Sequence, residues 1–129
     1  MWPHVEINET ADLYIVLLDS IFSDPHATPS GREGYYYAEN GEYSGYDSDK
    51  AVTLAAQELG LSKYTEPTSF TDEELQAEPK LLFFGTHCLC RADRSRSIGW
   101  APVKTTAGFF ASVRPEVEAV AKASTAVAN

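Results

Sequence analysis

Four short stretches hold the residue types that do chemistry. Tyr46-Asp47-Ser48-Asp49-Lys50 has the Y-x-x-x-K spacing in which a lysine lowers a tyrosine's pKa and readies it for proton transfer. The competing reading is plain: Tyr46 in a first helical turn, with Lys50 a solvated neighbour four residues on. His87-Cys88-Leu89-Cys90 offers imidazole and thiol, both zinc-ligand types. Three ligands within four residues and no second cluster do not make a tetrahedral site, so partly buried thiols are expected and no metal. Arg91, Arg94 and Arg96 are the one basic concentration in an acidic chain. As a bare pattern they are solvated cations at a helix start; more sharply, Arg91 could face a phosphate or carboxylate, whose geometry its planar fork matches. Tyr35, Tyr36 and Tyr37 form an aromatic run whose alternation turns Tyr36 opposite to its neighbours. Sheet packing is the default reading there, and Tyr36 joins Arg91 as an expected substrate contact.

Those residues need elements to hold them. His4 to Ile7 alternates like a strand, and Asn8 or Thr10 can cap a helix to about Phe22, because Ala11, Tyr14, Ile15, Leu18 and Ile21 recur at helical spacing. Pro25, Pro29, Gly31 and Gly34 break up 23–34 as a loop. Tyr35 to Ala38 reads as a second strand ending in the Glu39-Asn40-Gly41 turn. Ser44 or Asp47 then caps a helix with the face Ala51, Leu54, Ala55 and Leu59, and Gly60 stops it. Thr71 caps a short acidic helix, while 81–90 is ambiguous between buried strand and loop. Asp93 caps a helical turn closed by Gly99. Thr105-Thr106 opens a last helix to about residue 121, with Pro115 expected to kink or divide it. The expected fold is α/β, in detail an α+β fragment of two short strands with about four to five helices, over one unit at 1–122 and a frayed tail at 123–129. Two such strands are too few for an independently stable sheet, which suggests that they extend a larger one.

Composition narrows the function. The chain has 129 residues, within the range of a single domain. Nineteen acidic against ten basic side chains leave a net charge of −9, which repels nucleic acid and anionic membrane surfaces. The longest apolar stretch, 13–22, is about half of what a membrane span needs. No basic and apolar leader opens the sequence, and the two cysteines lie too close for an unstrained bridge, so a cytoplasmic setting is expected.

Three stretches together carry a resemblance. His4-Val5-Glu6-Ile7-Asn8-Glu9-Thr10-Ala11-Asp12-Leu13-Tyr14 resembles the HVxDLAxxY segment that opens the last third of extended short-chain dehydrogenase/reductases, the NAD-dependent epimerase/dehydratase group. Gly34 to Ser44 is similar to that group's glycine, tyrosine, turn and serine-cap segment. Ala92-Asp93-Arg94-Ser95-Arg96-Ser97-Ile98-Gly99-Trp100-Ala101-Pro102, followed by Thr105-Thr106, resembles its DxSRAxxLGWxP ending. The likeness is greatest to fungal nucleoside-diphosphate-sugar-epimerase-like proteins. Departures fall at Glu6 and Asn8, where the family places His and Asp, and at Thr10, where it has an aliphatic residue.

The resemblance implies the substrate-side lobe of an extended Rossmann-type dehydrogenase, with NAD or NADP bound by a dinucleotide-binding half. Within these residues no cofactor site is expected, since the eight glycines make no phosphate-cradling spacing after a strand. The family's catalytic tyrosine and lysine lie upstream of its first motif, so Tyr46 and Lys50 are expected to be non-catalytic. A small-molecule substrate such as a nucleotide-sugar is implied for the complete enzyme, with the lobe inactive alone and prone to self-association through exposed apolar edges. The alternative is a non-enzymatic interaction module with an acidic surface and an exposed sheet edge.

Overall fold

The computed structural model describes residues 1–127, with side chains to 124. Its elements are β1 (Trp2–Pro3), α1 (Ile7–Ser23), β2 (Glu42–Tyr43), α2 (Gly45–Glu58), α3 (Asp72–Ala77), α4 (Asp93–Ser97) and α5 (Thr106–Val127). Single 3-10 stretches lie at Gly31–Glu33 and Pro79–Gly85. The protein is thus α+β and mostly helical, with one antiparallel two-stranded sheet.

The caps show why the helices start where they do. Glu6, rather than Asn8 or Thr10, caps α1: its side chain accepts from the Asn8 and Glu9 N–H groups at 2.9 and 3.1 Å. An acidic group there satisfies two orphan donors and complements the helix dipole. Ser44 caps α2 by accepting from the Asp47 N–H at 3.0 Å, while its hydroxyl donates to Asp47 at 2.6 Å. Thr71 and Glu74 close a reciprocal capping box on α3. Ala92 opens α4 without a side-chain cap, and Asp93 lies inside the first turn. Gly60 and Gly99 follow α2 and α4 with positive φ, as the expected stops require. Pro115 does not divide α5, which runs on through Val127 where a frayed tail was expected from 123. Residues 128 and 129 of that expectation lie outside the described residues.

The sheet departs further from expectation. Trp2 pairs with Tyr43 and Pro3 with Glu42; the ladder continues only through His4 N–H to the Gly41 carbonyl and Asn40 N–H to the His4 carbonyl, both 2.9 Å. Tyr35 to Ala38 is not a strand, because no neighbouring segment pairs with it. Gly41 turns the chain at φ 138°, where an added Cβ would lie 2.5 Å from Thr106 Oγ1 and 2.6 Å from His4 Nε2. His4 itself bonds Thr106 at 2.8 Å and stacks on Phe109, which also stacks on Tyr43. Residues 81–85 are 3-10 rather than a buried strand, with Leu82, Phe83 and Phe84 exposed.

Burial is concentrated at two places. Leu13, Ala92 and Trp100 form the core under α1, with Val5, Val16 and Ala38 packed against them. Ala55 and Val113 are buried where α2 meets α5, and Arg114 pairs with Glu58 at 3.1 Å beside them. Glu9 joins α1 to the distant 100–104 segment. Its main-chain carbonyl accepts the Trp100 indole N–H at 2.8 Å, and its Oε1 accepts the Val103 and Lys104 N–H groups at 2.5 and 2.8 Å. Its Oε2 has no hydrogen-bond partner among the described residues.

This anchoring turns α1 the opposite way from its periodicity. Glu9 and Leu13 are buried and Val16, Leu17 and Ser20 half-buried, while Ala11, Tyr14, Ile15, Leu18 and Ile21, whose helical spacing marks the element in the sequence, are exposed. Replacing Trp100 by Ala is expected to cost about 3–5 kcal/mol through lost packing. Glu9→Ala is expected to cost about 1–2 kcal/mol, since two backbone donors lose their acceptor but lie near solvent. Asp12→Ala, one turn away and exposed, should stay within about 0.5 kcal/mol. Urea denaturation of the three variants checks this order.

Candidate functional site

Segment 35–39 is held against α4 by side-chain bonds in place of sheet pairing. Ser95, wholly buried, donates its hydroxyl to the Tyr37 carbonyl at 2.6 Å, and Glu39 Oε2 accepts the Ala92 N–H at 3.2 Å. Glu39 Oε1 takes the Gly41 N–H at 2.9 Å and so fixes the following turn. The result is an open groove of about 480 Å³ lined by Tyr35, Tyr37, Arg91, Asp93, Arg94 and Ser97.

The three arginines have different fates. Arg96 donates to the Glu39 carbonyl and to Asn40 Oδ1 at 3.1 and 2.9 Å, lies 3.5 Å from the Glu39 carboxylate and covers the Trp100 ring. Arg94 pairs with Glu33 at 2.7 Å and pins the 3-10 turn to α4. Among the described residues Arg91 meets only its local neighbour Asp93, at 3.1 Å, with its side chain 82% exposed. An exposed i,i+2 contact of this kind holds weakly, so the Arg91 fork remains available to an incoming anion.

Tyr36 and Arg91 are not brought together. The Tyr36 hydroxyl donates to the Pro29 carbonyl at 3.0 Å and ties down the 24–34 loop, while Tyr35 and Tyr37 share the groove with Arg91. The i,i+2 alternation already put Tyr35 and Tyr37 on one side; what it lacked was which side carried the arginine. Ser97 was not foreseen either. Its hydroxyl donates to the Arg94 carbonyl at 2.8 Å, as a serine near a helix end commonly does.

No activated nucleophile or acid–base couple lines this groove among the described residues. Ser97 is occupied with backbone, and Asp93 with Arg91. Guanidinium and phenol rings are suited to bind an anion and stack a flat group, without transferring a proton.

The Tyr46 and Lys50 pair lies elsewhere, at the amino end of α2, and both point to one acceptor. Lys50 forms an ion pair with Glu66, and the Tyr46 hydroxyl donates to the other Glu66 oxygen at 2.8 Å. The hydrogen bond to Glu66 and then its negative charge push the Tyr46 phenol above its ordinary value, and Lys50 offsets this only in part. General-base use of a tyrosine needs the opposite shift. The same contacts hold the Glu66 carboxyl below its ordinary range, through Lys50 first and Tyr46 second.

Cys88 and Cys90 are free thiols, and partial burial followed by the Glu39 charge raises Cys90, which disfavours its thiolate. His87 Nδ1 lies 2.7 Å from the terminal amine of Met1. No group of three or more His, Cys, Asp or Glu side chains positioned for a metal occurs among the described residues, and no helix among them is long and apolar enough to cross a membrane.

Comparison with family models, curated proteins and solved structures finds no match to this chain. The likeness to extended dehydrogenases therefore stands on the three sequence stretches alone.

One titration checks the Tyr46 assignment. Glu66→Gln should bring Tyr46 down toward its ordinary value of 10.0, observed by NMR of tyrosine-labelled protein against the Tyr46→Phe spectrum. Because the Glu66 carboxyl is depressed on folding, its contribution is present above the ordinary carboxyl range and fades as pH falls through the lowered value. The exposure of the Glu66 side chain keeps that contribution small and sensitive to salt.

Proposed function

We propose that this chain serves as the substrate-side lobe of an NAD(P)-dependent epimerase, dehydratase or reductase, binding an anionic small molecule such as a nucleotide-sugar and performing no hydride transfer by itself. The observation that carries the reading is the Arg91 groove. A fork-shaped cation stands beside Tyr35 and Tyr37 in an open depression with no acid–base couple, so it supplies one wall of a binding site and none of the chemistry.

Other features agree. Tyr46 and Lys50 are bound to Glu66 in a way that opposes proton abstraction. The three resembling stretches meet around one arrangement: the first supplies the Glu6 cap and Glu9, the second carries Tyr35 and Tyr37 along the groove, and the third carries Arg94, Arg96 and Trp100. Cofactor binding, and with it the choice between NAD and NADP, then falls to a dinucleotide-binding half outside these residues. The sheet edge is a poor interaction template by comparison, since each strand is two residues long.

Two titrations test the proposal. A uridine diphosphate sugar at millimolar concentration should shift the amide resonances of Tyr35, Tyr37 and Ser97, and Arg91→Ala should abolish those shifts while Tyr36→Phe preserves them. NADH and NADPH should show no saturable change in nicotinamide fluorescence with the wild-type chain. Micromolar binding of either dinucleotide would contradict the lobe reading.

A further inference from the structure

The face that α1 turns outward is apolar over its whole length. Ile7 is 76% exposed, Tyr14 67%, Ile15 59%, Leu18 53% and Phe22 83%, with exposed Ala11 and Ile21 among them. At roughly 100° per residue these side chains fall within one stripe. From Ile7 to Phe22 the stripe runs about 22 Å at 1.5 Å per residue, the length of a helix of about 15 residues. A continuous apolar strip of this kind marks a contact surface, since single exposed apolar residues are normal but aligned ones are not.

Its edge carries charge of one sign. Asp12 and Asp19, both exposed, are seven residues apart and stand on the same side of the stripe, next to Ile15. Neither forms an ion pair among the described residues, and α1 contains no Lys or Arg. The opposite edge, at Thr10 and Leu17, is uncharged.

We propose that the outward face of α1 docks an amphipathic helix of the completing polypeptide, apolar along its centre and bearing Lys or Arg about two turns apart along the edge that meets Asp12 and Asp19. The inference rests on the lobe reading above and names the element that such a lobe receives. A helix matches the length and width of the stripe, because side-chain ridges of one helix seat in the grooves of another. A second copy of this chain is the wrong occupant: two chains of net charge −9 repel, and an antiparallel two-fold pairing of α1 with itself sets both Asp12 and Asp19 rows along the same edge.

The test uses two synthetic helical peptides of about 15 residues, identical in their leucine stripe, one with lysines and the other with glutamates at the seven-residue edge positions. Fluorescence anisotropy against the full chain at low salt should give binding of the lysine peptide at least about tenfold tighter than that of the glutamate peptide, with the gap shrinking as salt rises. Leu18→Glu, a change at an exposed position that should leave the circular dichroism unchanged, should abolish binding. The double variant Asp12→Lys with Asp19→Lys should reverse the preference between the peptides. Equal affinity for both peptides, no binding of either, indifference to Leu18→Glu, or concentration-dependent dimerisation abolished by Leu18→Glu would overturn the docking inference and leave the Arg91 groove untouched. Dinucleotide binding by the chain would overturn the lobe reading without altering the peptide result.

Discussion

Glu9 is a helical residue used twice. Its carbonyl holds the Trp100 indole and its side chain holds two successive backbone donors, Val103 and Lys104, more than ninety residues along the chain. The contacts fix both the position of α1 along the 100–104 segment and its rotation about its own axis. Once Glu9 faces inward, Leu13 and Val16 follow at helical spacing and meet Trp100 and Ala92. The remaining apolar residues of α1 must then face out. From Trp100 the linkage continues through Arg96, which lies over the ring, to Glu39 and Asn40, and Asn40 returns to the Lys104 carbonyl at 2.7 Å. The outward helix face is a consequence of one anchored residue, and the same linkage reaches the Glu39 turn at the end of the groove segment.

The second organising constraint is the allocation of charge. In a chain with nearly twice as many acidic as basic side chains, most cations are claimed by carboxylates. Arg94 is held by Glu33, Arg96 by Glu39, Arg114 by Glu58, Lys50 by Glu66 and Lys122 by Glu118. These pairs cost little to make and stabilise little where exposed, but they decide which cations remain free to meet a ligand. Arg91, whose only carboxylate partner among the described residues is the exposed Asp93 two residues away, lines the groove with Tyr35 and Tyr37. Lys50 shows the converse: the residue types of a proton-transfer couple are present at the right spacing, and an acidic neighbour removes the electrostatics that the chemistry needs.

Local signals in the sequence were readable because local geometry decides them. Ser44, Thr71, Gly60 and Gly99 mark helix ends in the structure as they do in the sequence, each through its own backbone or side chain. Signals that depend on distant partners were not. Tyr35 to Ala38 has strand propensity, yet it is held by Ser95 and Glu39 without a ladder, and no property of three tyrosines reveals that. The periodicity of α1 located the end of the helix to within a residue, and its start less closely, but carried two apolar arcs, of which the one with more large side chains would ordinarily face the core. What reversed it was an acidic residue that ordinarily reads as a first-turn dipole partner. Arg91 was legible as a type suited to anions, whereas its companions Tyr35 and Tyr37 depended on knowing which side of the aromatic run α4 covers. The resemblance to extended dehydrogenases draws on motif order, so it speaks to the proposed role, and the chemistry of the groove stands on its geometry.

The orientation of α1 is the claim on which the docking face depends, and methyl NMR with a soluble paramagnetic agent reads it directly. The account predicts strong broadening of the Ile7, Ile15, Leu18 and Ile21 methyl signals, with Leu13 and Val16 protected. Protection of Ile15 and Leu18 together with broadening of Leu13 would show α1 rotated the other way and would contradict it.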